Sequence, residues 1–410
     1  MRDGDSVQTL PRWQTILEFA ILATALIISA LLILKGDGVV PKPYMDQHFV
    51  ETVNLRLRFE EGNFVFQYPN LMHSGGITAS LIAGIYKLII PTTPETLNWH
   101  FKIFSMVVCL TSSFYLLRTA IPNFLALRIL GFLIIATSGY QLLEPSSDVI
   151  SAALLNLFFI AVLRRWPKLL AAFFLATFAL CKVELILCAS VLAILWFAWE
   201  SHRTSPKAFL TLVFTALILG VYLAPTLVLA GSNPLSSDRG STAFFSAYGK
   251  FMRHHQFQMV VPSEEEAIRL IHTTVFRDAP SFRDVLAKHP DLYFDYLGVS
   301  AARSLPNVFK VFKFMSIPFL LVLTQIGMIK QNRFILLGAV LVASCILLPS
   351  WLVIFVRMRY IAKALPLVTT ATIASAYELA SRRKLPLTLV WICGLSTVLW
   401  QVLSLTPYQD

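Results

Sequence analysis

The sequence predicts an all-α integral membrane protein, a polytopic helical bundle of about 11 to 13 transmembrane helices with amphipathic interfacial helices in its outer loops. Three observations predict it. The chain of 410 residues is 56% hydrophobic and 14% charged, with a mean hydropathy of +0.68, too apolar for a soluble domain. Apolar runs close to the roughly 20 residues that cross a hydrocarbon core about 30 Å thick recur along most of it. The cations gather between those runs, as Arg164-Arg165 with Lys168, His202-Arg203 with Lys207, Lys330 with Arg333, and Arg382-Arg383-Lys384. That is the pattern of cytoplasmic loops under the positive-inside rule. The net charge of +11 is therefore loop charge, and nucleic-acid binding is excluded as the reading.

The first apolar segment, near 13–34, has no small-residue cleavage site behind it and reads as a retained helix rather than a signal peptide. Residues 35–70 mix Phe49, Val50, Val53, Leu57 and Phe64 with Glu51, Arg56, Arg58, Glu60 and Glu61, which suits a helix lying along the interface. Helical segments follow near 71–90, 99–120, 124–143, 148–163, 167–181, 184–199 and 208–230. Those at 148–163 and 167–181 are short enough to be tilted, broken or partly inserted.

A second polar region spans 231–309, and its length marks a functional loop. Within it, Ser263-Glu264-Glu265-Glu266 followed by Ala267, Ile268, Leu270 and Ile271 predicts a capped amphipathic helix. Phe282, Val285 and Leu286 predict another. Helices near 310–329, 334–355, 359–378 and 387–406 close the chain. The organisation is thus an N-terminal module at 1–230 that includes the loop at 35–70, a large outer loop at 231–309, and C-terminal helices at 310–410.

The topology holds a conflict. Counting forward from an inside N-terminus puts 35–70 outside but 144–148 inside, whereas the basic clusters put 144–148, 181–184 and 231–309 outside. The later clusters agree with one another and are followed here, so either one of the first segments fails to cross or the segmentation there is wrong. The five cysteines (Cys109, Cys181, Cys188, Cys345, Cys393) lie in or beside apolar segments without metal-site spacing and are expected to fill helix surfaces. No Asn-x-Ser/Thr sequon occurs, which favours a bacterial plasma (inner) membrane over the secretory pathway.

On the outer side fall Asp46, within Tyr44-Met45-Asp46-Gln47-His48, the turn Glu144-Pro145-Ser146-Ser147-Asp148, and the break Cys181-Lys182-Val183-Glu184. Tyr68-Pro69-Asn70-Leu71 and Phe355-Val356-Arg357-Met358-Arg359-Tyr360 join them. Charged groups at the ends of apolar helices resist burial unless paired or functional. Carboxylates and cations from separate segments frame a site suited to a phosphate-bearing substrate.

In the order of these motifs, ending on Arg-Tyr-x-x-x-x-Leu-Pro from Arg359, the chain resembles the polytopic GT-C glycosyltransferases, particularly the protein mannosyltransferase and lipid A aminoarabinose transferase branch. The resemblance implies a GT-C-type bundle. It also implies transfer of a sugar from a polyprenyl-phosphate donor to a glycan, lipid or protein acceptor at the outer, periplasmic face. Asp46 matches the leading acid of the family's first outer loop, but Gln47 stands where a second acid is usual. No cofactor is certain, and a divalent cation is compatible with the pattern without being required by it.

On this reading the catalytic set is Asp46 as base with Asp148 as a secondary positioning acid. Lys182, Arg357 and Arg359 clamp the phosphate, while Tyr68 and His73 contact substrate. General-base assistance of this kind is worth about 10²–10⁴-fold. Plainer readings stand beside these. Asp46 is a solvated loop acid, Asp148 a helix cap worth about 0.3–1 kcal/mol, and Lys182 with Glu184 a structural pair. Arg357 and Arg359 are interfacial anchors, Tyr68 is an interface aromatic and His73 a satisfied polar group. His254-His255 is not read as a metal pair. Competing functions are a transporter or flippase of lipid-linked saccharides, a polysaccharide ligase or polymerase, and an inactive scaffold.

Overall fold

A computed structural model of the chain describes residues 11–37, 94–138, 147–181, 184–202, 208–230, 241, 243–249, 264–353 and 361–404. Every regular element among them is a helix. The first seven are α1 (Arg12–Asp37), α2 (Pro94–Ala120), α3 (Leu125–Ala136), α4 (Ser147–Leu163), α5 (Lys168–Ala179), α6 (Glu184–His202) and α7 (Leu210–Ala230). Each coincides with an expected apolar segment. The expected helix at 71–90 and most of the interfacial stretch at 35–70 lie outside the described residues.

The polar region contains α8 (Glu264–Thr274) and α9 (Phe282–Lys288), both at the expected positions. At α9, Asp284 N–H donates to the Ser281 hydroxyl and Ser281 N–H donates back to the Asp284 carboxylate, a reciprocal capping box that fixes the start of this short helix.

The next helix differs from expectation. In place of one segment at 310–329 there are α10 (Pro290–Phe312) and α11 (Ser316–Thr324). Pro290 sits in the first turn, where a missing N–H costs nothing, so the helix starts well inside the polar region. It ends where Lys313 takes a φ of 48°, a left-handed geometry that no helix continues through. The chain then forms α12 (Arg333–Val353), α13 (Leu365–Ser381) and α14 (Leu387–Ser404). Pro366 in its first turn sets the start of α13 later than the expected 359.

Among the described residues, four stretches are long and apolar enough to cross a membrane: Arg12–Leu34, Ile103–Ala120, Leu185–His202 and Pro290–Thr324. Helices α3 and α5, of 12 residues each, rise only about 18 Å and fall short of a 30 Å core. Large apolar side chains point outward along the bundle, among them Ile16, Ile27 and Leu31 on α1 and Leu399, Trp400 and Leu403 on α14. Apolar surface on this scale suits lipid rather than water.

Side-chain pairs fix the direction of each helix. Asn156 with Ser113 and Arg164 with Thr119 align α4 parallel to α2. Cys188 with Cys345 and Trp199 with Phe334 align α6 antiparallel to α12. Gly394 against Leu130 and Gln401 with Thr137 align α14 parallel to α3. Glu18 with Arg118 and Phe19 with Phe114 pack α1 against α2.

Helix α13 is the central pillar, buried along nearly its whole length. Its neighbours approach closely. A Cβ on Gly131 would meet Leu117 at 2.7 Å, and one on Gly338 would meet the Phe159 ring at 2.2 Å, so α12 can lie against α4 only with glycine there. A separate aromatic core belongs to the polar region, with Phe244 ringed by Phe245, Tyr248, Phe276, Phe282 and Tyr296.

Candidate functional site

The helix directions give the bundle two chemically distinct ends. One carries Arg164, Lys168, Lys330, Arg333 and Arg382-Arg383-Lys384 and is called here the basic end. The other receives the starts of α4, α6 and α13, the end of α12 and the aromatic subdomain, and is called the aromatic end.

At the aromatic end, Lys363 Nζ donates to Asp148 Oδ1 over 3.1 Å. Both side chains are almost fully buried, at 5% and 1% exposure. Asp148 lies in the first turn of α4, where the helix macrodipole favours a carboxylate. Lys363 stands two residues before α13, in the turn at 363–364, where the same dipole disfavours a cation. The carboxylate offsets that cost. An ionisable pair buried between apolar helices is expensive to keep and marks a functional position by default.

Below the pair, the thiols of Cys188 on α6 and Cys345 on α12 hydrogen-bond each other, with Lys363 near enough to act on Cys188 electrostatically. None of the five cysteines forms a disulfide among the described residues. About two helical turns deeper than Asp148, Asn156 donates to the hydroxyls of Ser112 and Ser113 at 3.2 and 3.0 Å. The hydroxyls of Thr369, Thr370 and Ser375 on α13 are buried without a hydrogen-bond partner among the described residues. A polar seam thus continues below the ion pair into the core.

The aromatic subdomain is tied to the same end by three hydrogen bonds. Tyr293 donates its hydroxyl to the Leu352 carbonyl at 3.0 Å, and Ser300 donates to the Trp351 carbonyl at 3.1 Å. Trp351 Nε1 donates to the Leu297 carbonyl at 3.2 Å. These hold the last turn of α12, immediately before the segment that carries Arg357 and Arg359. In the subdomain core, burial and then the neighbouring Asp295 and Asp291 push the Tyr248 phenol up to about 12, so it stays neutral.

Of the residues singled out from sequence, Asp148 is described and is buried against Lys363 rather than opening to water. Asp46, Tyr68, His73, Lys182, Arg357 and Arg359 lie outside the described residues. The elements that flank Lys182, Arg357 and Arg359 do meet at the aromatic end: Cys181 before α6, Val353 closing α12, and Ile361 ahead of α13. Lys363 was missed by motif reading because it occupies one of the unspecified positions of Arg-Tyr-x-x-x-x-Leu-Pro. A usable signal existed, since it is the sole charge between Tyr360 and Tyr377 in an otherwise apolar run.

The basic end buries charge differently. Glu18, in the first half of α1, meets Arg128 at 2.6 Å and Arg118 at 3.9 Å. The close approach to Arg128 Nε lacks the direction of a hydrogen bond, and the contact is best described as an ion pair. Arg128 spends Nη1 on the carbonyls of Ile121 and Pro122, stapling the α2–α3 turn. Glu378 accepts from the backbone N–H groups of Lys330, Gln331 and Asn332 at 2.7 to 3.2 Å and from Arg382 at 2.8 Å. The Arg128 and Glu378 hydrogen bonds fasten turns, while the Glu18 ion pairs tie α1 to α2 and α3.

Against known proteins, the chain matches no family model, no curated protein and no solved structure.

Proposed function

We propose that the chain is a GT-C-type inverting glycosyltransferase, a bundle of about 11 to 13 transmembrane helices that uses a polyprenyl-phosphate sugar donor. The observation that carries this reading is the buried Asp148–Lys363 pair at the end where α6 and α13 start and α12 ends, next in sequence to Lys182, Arg357 and Arg359. A lysine placed among helix N-termini is suited to a phosphate. The aromatic subdomain beside it is suited to covering an acceptor.

In the proposed reaction, the acceptor hydroxyl attacks the anomeric carbon while Asp46 takes its proton. The bond from that carbon to the phosphate oxygen breaks, and polyprenyl phosphate leaves with the electron pair. Arg357, Arg359, Lys182 and Lys363 neutralise the leaving group, with arginine presenting a bidentate fork. Asp148 acts as a positioning residue through Lys363, and Tyr68 and His73 contact the sugar. The basic end faces the cytoplasm of a bacterial plasma membrane and the aromatic end the outer side. The acceptor is a glycan, a lipid or a protein.

The test is incubation of the purified chain with a panel of polyprenyl-phosphate sugars and membrane extract, followed by mass spectrometry of the products. Asp46→Asn is expected to lower transfer about 10²–10⁴-fold with donor binding retained. Unchanged transfer removes Asp46 as base. Movement of the lipid-linked saccharide across vesicles without any sugar transfer replaces the enzyme with a flippase.

A further inference from the structure

At the basic end an open groove of about 680 Å³ lies at the turn between α13 and α14, lined by Tyr377, Ser381, Arg383, Lys384, Leu385 and Leu387 among others. Its three neighbouring cations have different fates. Arg382 is folded inward, donating to Glu378 Oε1 at 2.8 Å and to the Met328 carbonyl. Arg383 and Lys384 are exposed on the groove, and neither meets a carboxylate among the described residues. One wall is therefore cationic and the other apolar, formed by Leu385 and Leu387 with the Tyr377 ring, itself stacked on Phe124 at 5.5 Å.

The backbone adds an independent observation. The α13–α14 turn closes with Lys384 N–H donating to the Leu379 carbonyl at 3.0 Å and Arg383 N–H to the Ala380 carbonyl at 2.9 Å. That closure requires a left-handed residue, and Arg383 supplies it at a φ of 56°. Glycine fills this place at no steric cost, so an arginine here gives up stability to keep a charge in the turn. The α4–α5 turn repeats the device, with Arg165 at a φ of 56° and Trp166 N–H donating to the Ala161 carbonyl. Trp13 and Trp166, both exposed at this end, sit as interfacial tryptophans do at headgroup level.

We propose that this groove seats the phosphodiester headgroup of an anionic phospholipid, with Arg383 and Lys384 on the phosphate and Tyr377, Leu385 and Leu387 along the first part of an acyl chain. The proposal does not rest on the glycosyltransferase reading. A cation near an anionic leaflet strengthens attachment about fivefold.

The experiment is native mass spectrometry of the purified full chain in neutral detergent, with dioleoyl phosphatidylglycerol, dioleoyl phosphatidylcholine or inorganic phosphate added. Phosphatidylglycerol is expected to form adducts that the other two do not. Arg383→Gly and Lys384→Gln are each expected to weaken those adducts about fivefold. Arg383→Gly should also leave the unfolding temperature unchanged or raised, because glycine suits the turn, so the lost binding is not lost folding. Arg165→Gly, in the same kind of turn but outside the groove, should leave the adducts intact. The proposal is overturned if either groove variant binds as the parent does, if phosphatidylcholine or free phosphate binds equally, or if Arg165→Gly loses as much as Arg383→Gly.

Discussion

At the basic end a buried carboxylate, Glu18, is gripped by two arginines, one of which also ties down a turn through two backbone carbonyls. At the aromatic end a buried carboxylate, Asp148, meets a lysine whose helix dipole alone disfavours its charge. In the first arrangement the donors are planar forks, and Arg128 commits Nη1 to closing the α2–α3 turn. The second holds a compact, rotatable point charge among the starts of three helices, beside a thiol pair and above a seam of hydroxyls without hydrogen-bond partners among the described residues. Burial alone does not distinguish the two, but the way the remaining valences are used does.

Charge removal is the strongest way to break that comparison. Arg128→Met leaves the buried Glu18 only the more distant Arg118, and Lys363→Met takes from Asp148 the cation it meets at 3.1 Å, and each is expected to cost about 3–5 kcal/mol in thermal unfolding in detergent. On the proposed glycosyltransferase reading, the two part in sugar transfer. Corrected for folded fraction, Arg128→Met should transfer normally, while Lys363→Met should lose transfer, with Lys363→Arg restoring stability better than rate. A folded Arg128→Met that is inactive, or a Lys363→Met that is active, erases the distinction. The double variant Asp148→Asn with Lys363→Met should be more stable than Lys363→Met alone, because no lone charge remains.

Glu378 tests the basic end more gently. Its carboxylate accepts from successive backbone N–H groups at the start of α12, and Glu378→Gln replaces charge-assisted acceptance with a weaker one. About 1.5–3 kcal/mol of stability should go. Differential hydrogen exchange should map the loosening to 329–333 and leave the aromatic end protected. Spread of the effect to Trp351 or Lys363 would mean the two ends are one cooperative unit.

How much of this was legible in the chain follows the same division. Apolar periodicity placed most helices within a few residues, because length and hydropathy decide them. It failed at 310–329, where Pro290 starts a helix inside a polar region and Lys313 breaks it, both local backbone effects that hydropathy does not carry. The capping box at Ser281 and Asp284 stood in the sequence as an ordinary signal and went unused. Asp148 was visible because it opens a helix. Lys363 and Glu18 were visible only as lone charges in apolar runs, and their partners sit 215 and 110 residues away. No spacing rule reaches across such distances, so pairing was recoverable only from the fold.

Tyr293→Phe sharpens the comparison from the subdomain side. It removes one hydroxyl from the Leu352 carbonyl and keeps the ring in its aromatic packing. The expected loss is about 0.5–1.5 kcal/mol. If the subdomain positions the segment after α12, the variant should raise the acceptor KM while leaving the basic-end exchange pattern unchanged. An unaltered KM would reduce the subdomain to a passive cover.

The smallest effect is set by pH and belongs to the outer rim of that subdomain. Asp278 is held below the ordinary carboxylate range, first by a hydrogen bond from the His289 side chain at 2.8 Å, with lesser help from its own backbone, the His289 charge and Lys288. A carboxylate with a lowered folded pKa binds fewer protons folded than unfolded, so its contribution is fully present above the unfolded value near 3.9. It is then lost as the pH falls through the lower folded value. Asp284, lowered mainly by its Ser281 hydrogen bond, behaves with the same sign. Both groups are exposed at the rim, so the shift in unfolding temperature between pH 6 and pH 3 should be small. Asp278→Asn should flatten that dependence, and the exchange protection affected should be confined to the α8–α9 connection. A larger acid response that survives Asp278→Asn and Asp284→Asn together would move the titrating group off the rim and into the bundle. Asp148 would then become the first carboxylate to examine, and the charge at the aromatic end would have to be described as one that exchanges protons rather than one held fixed.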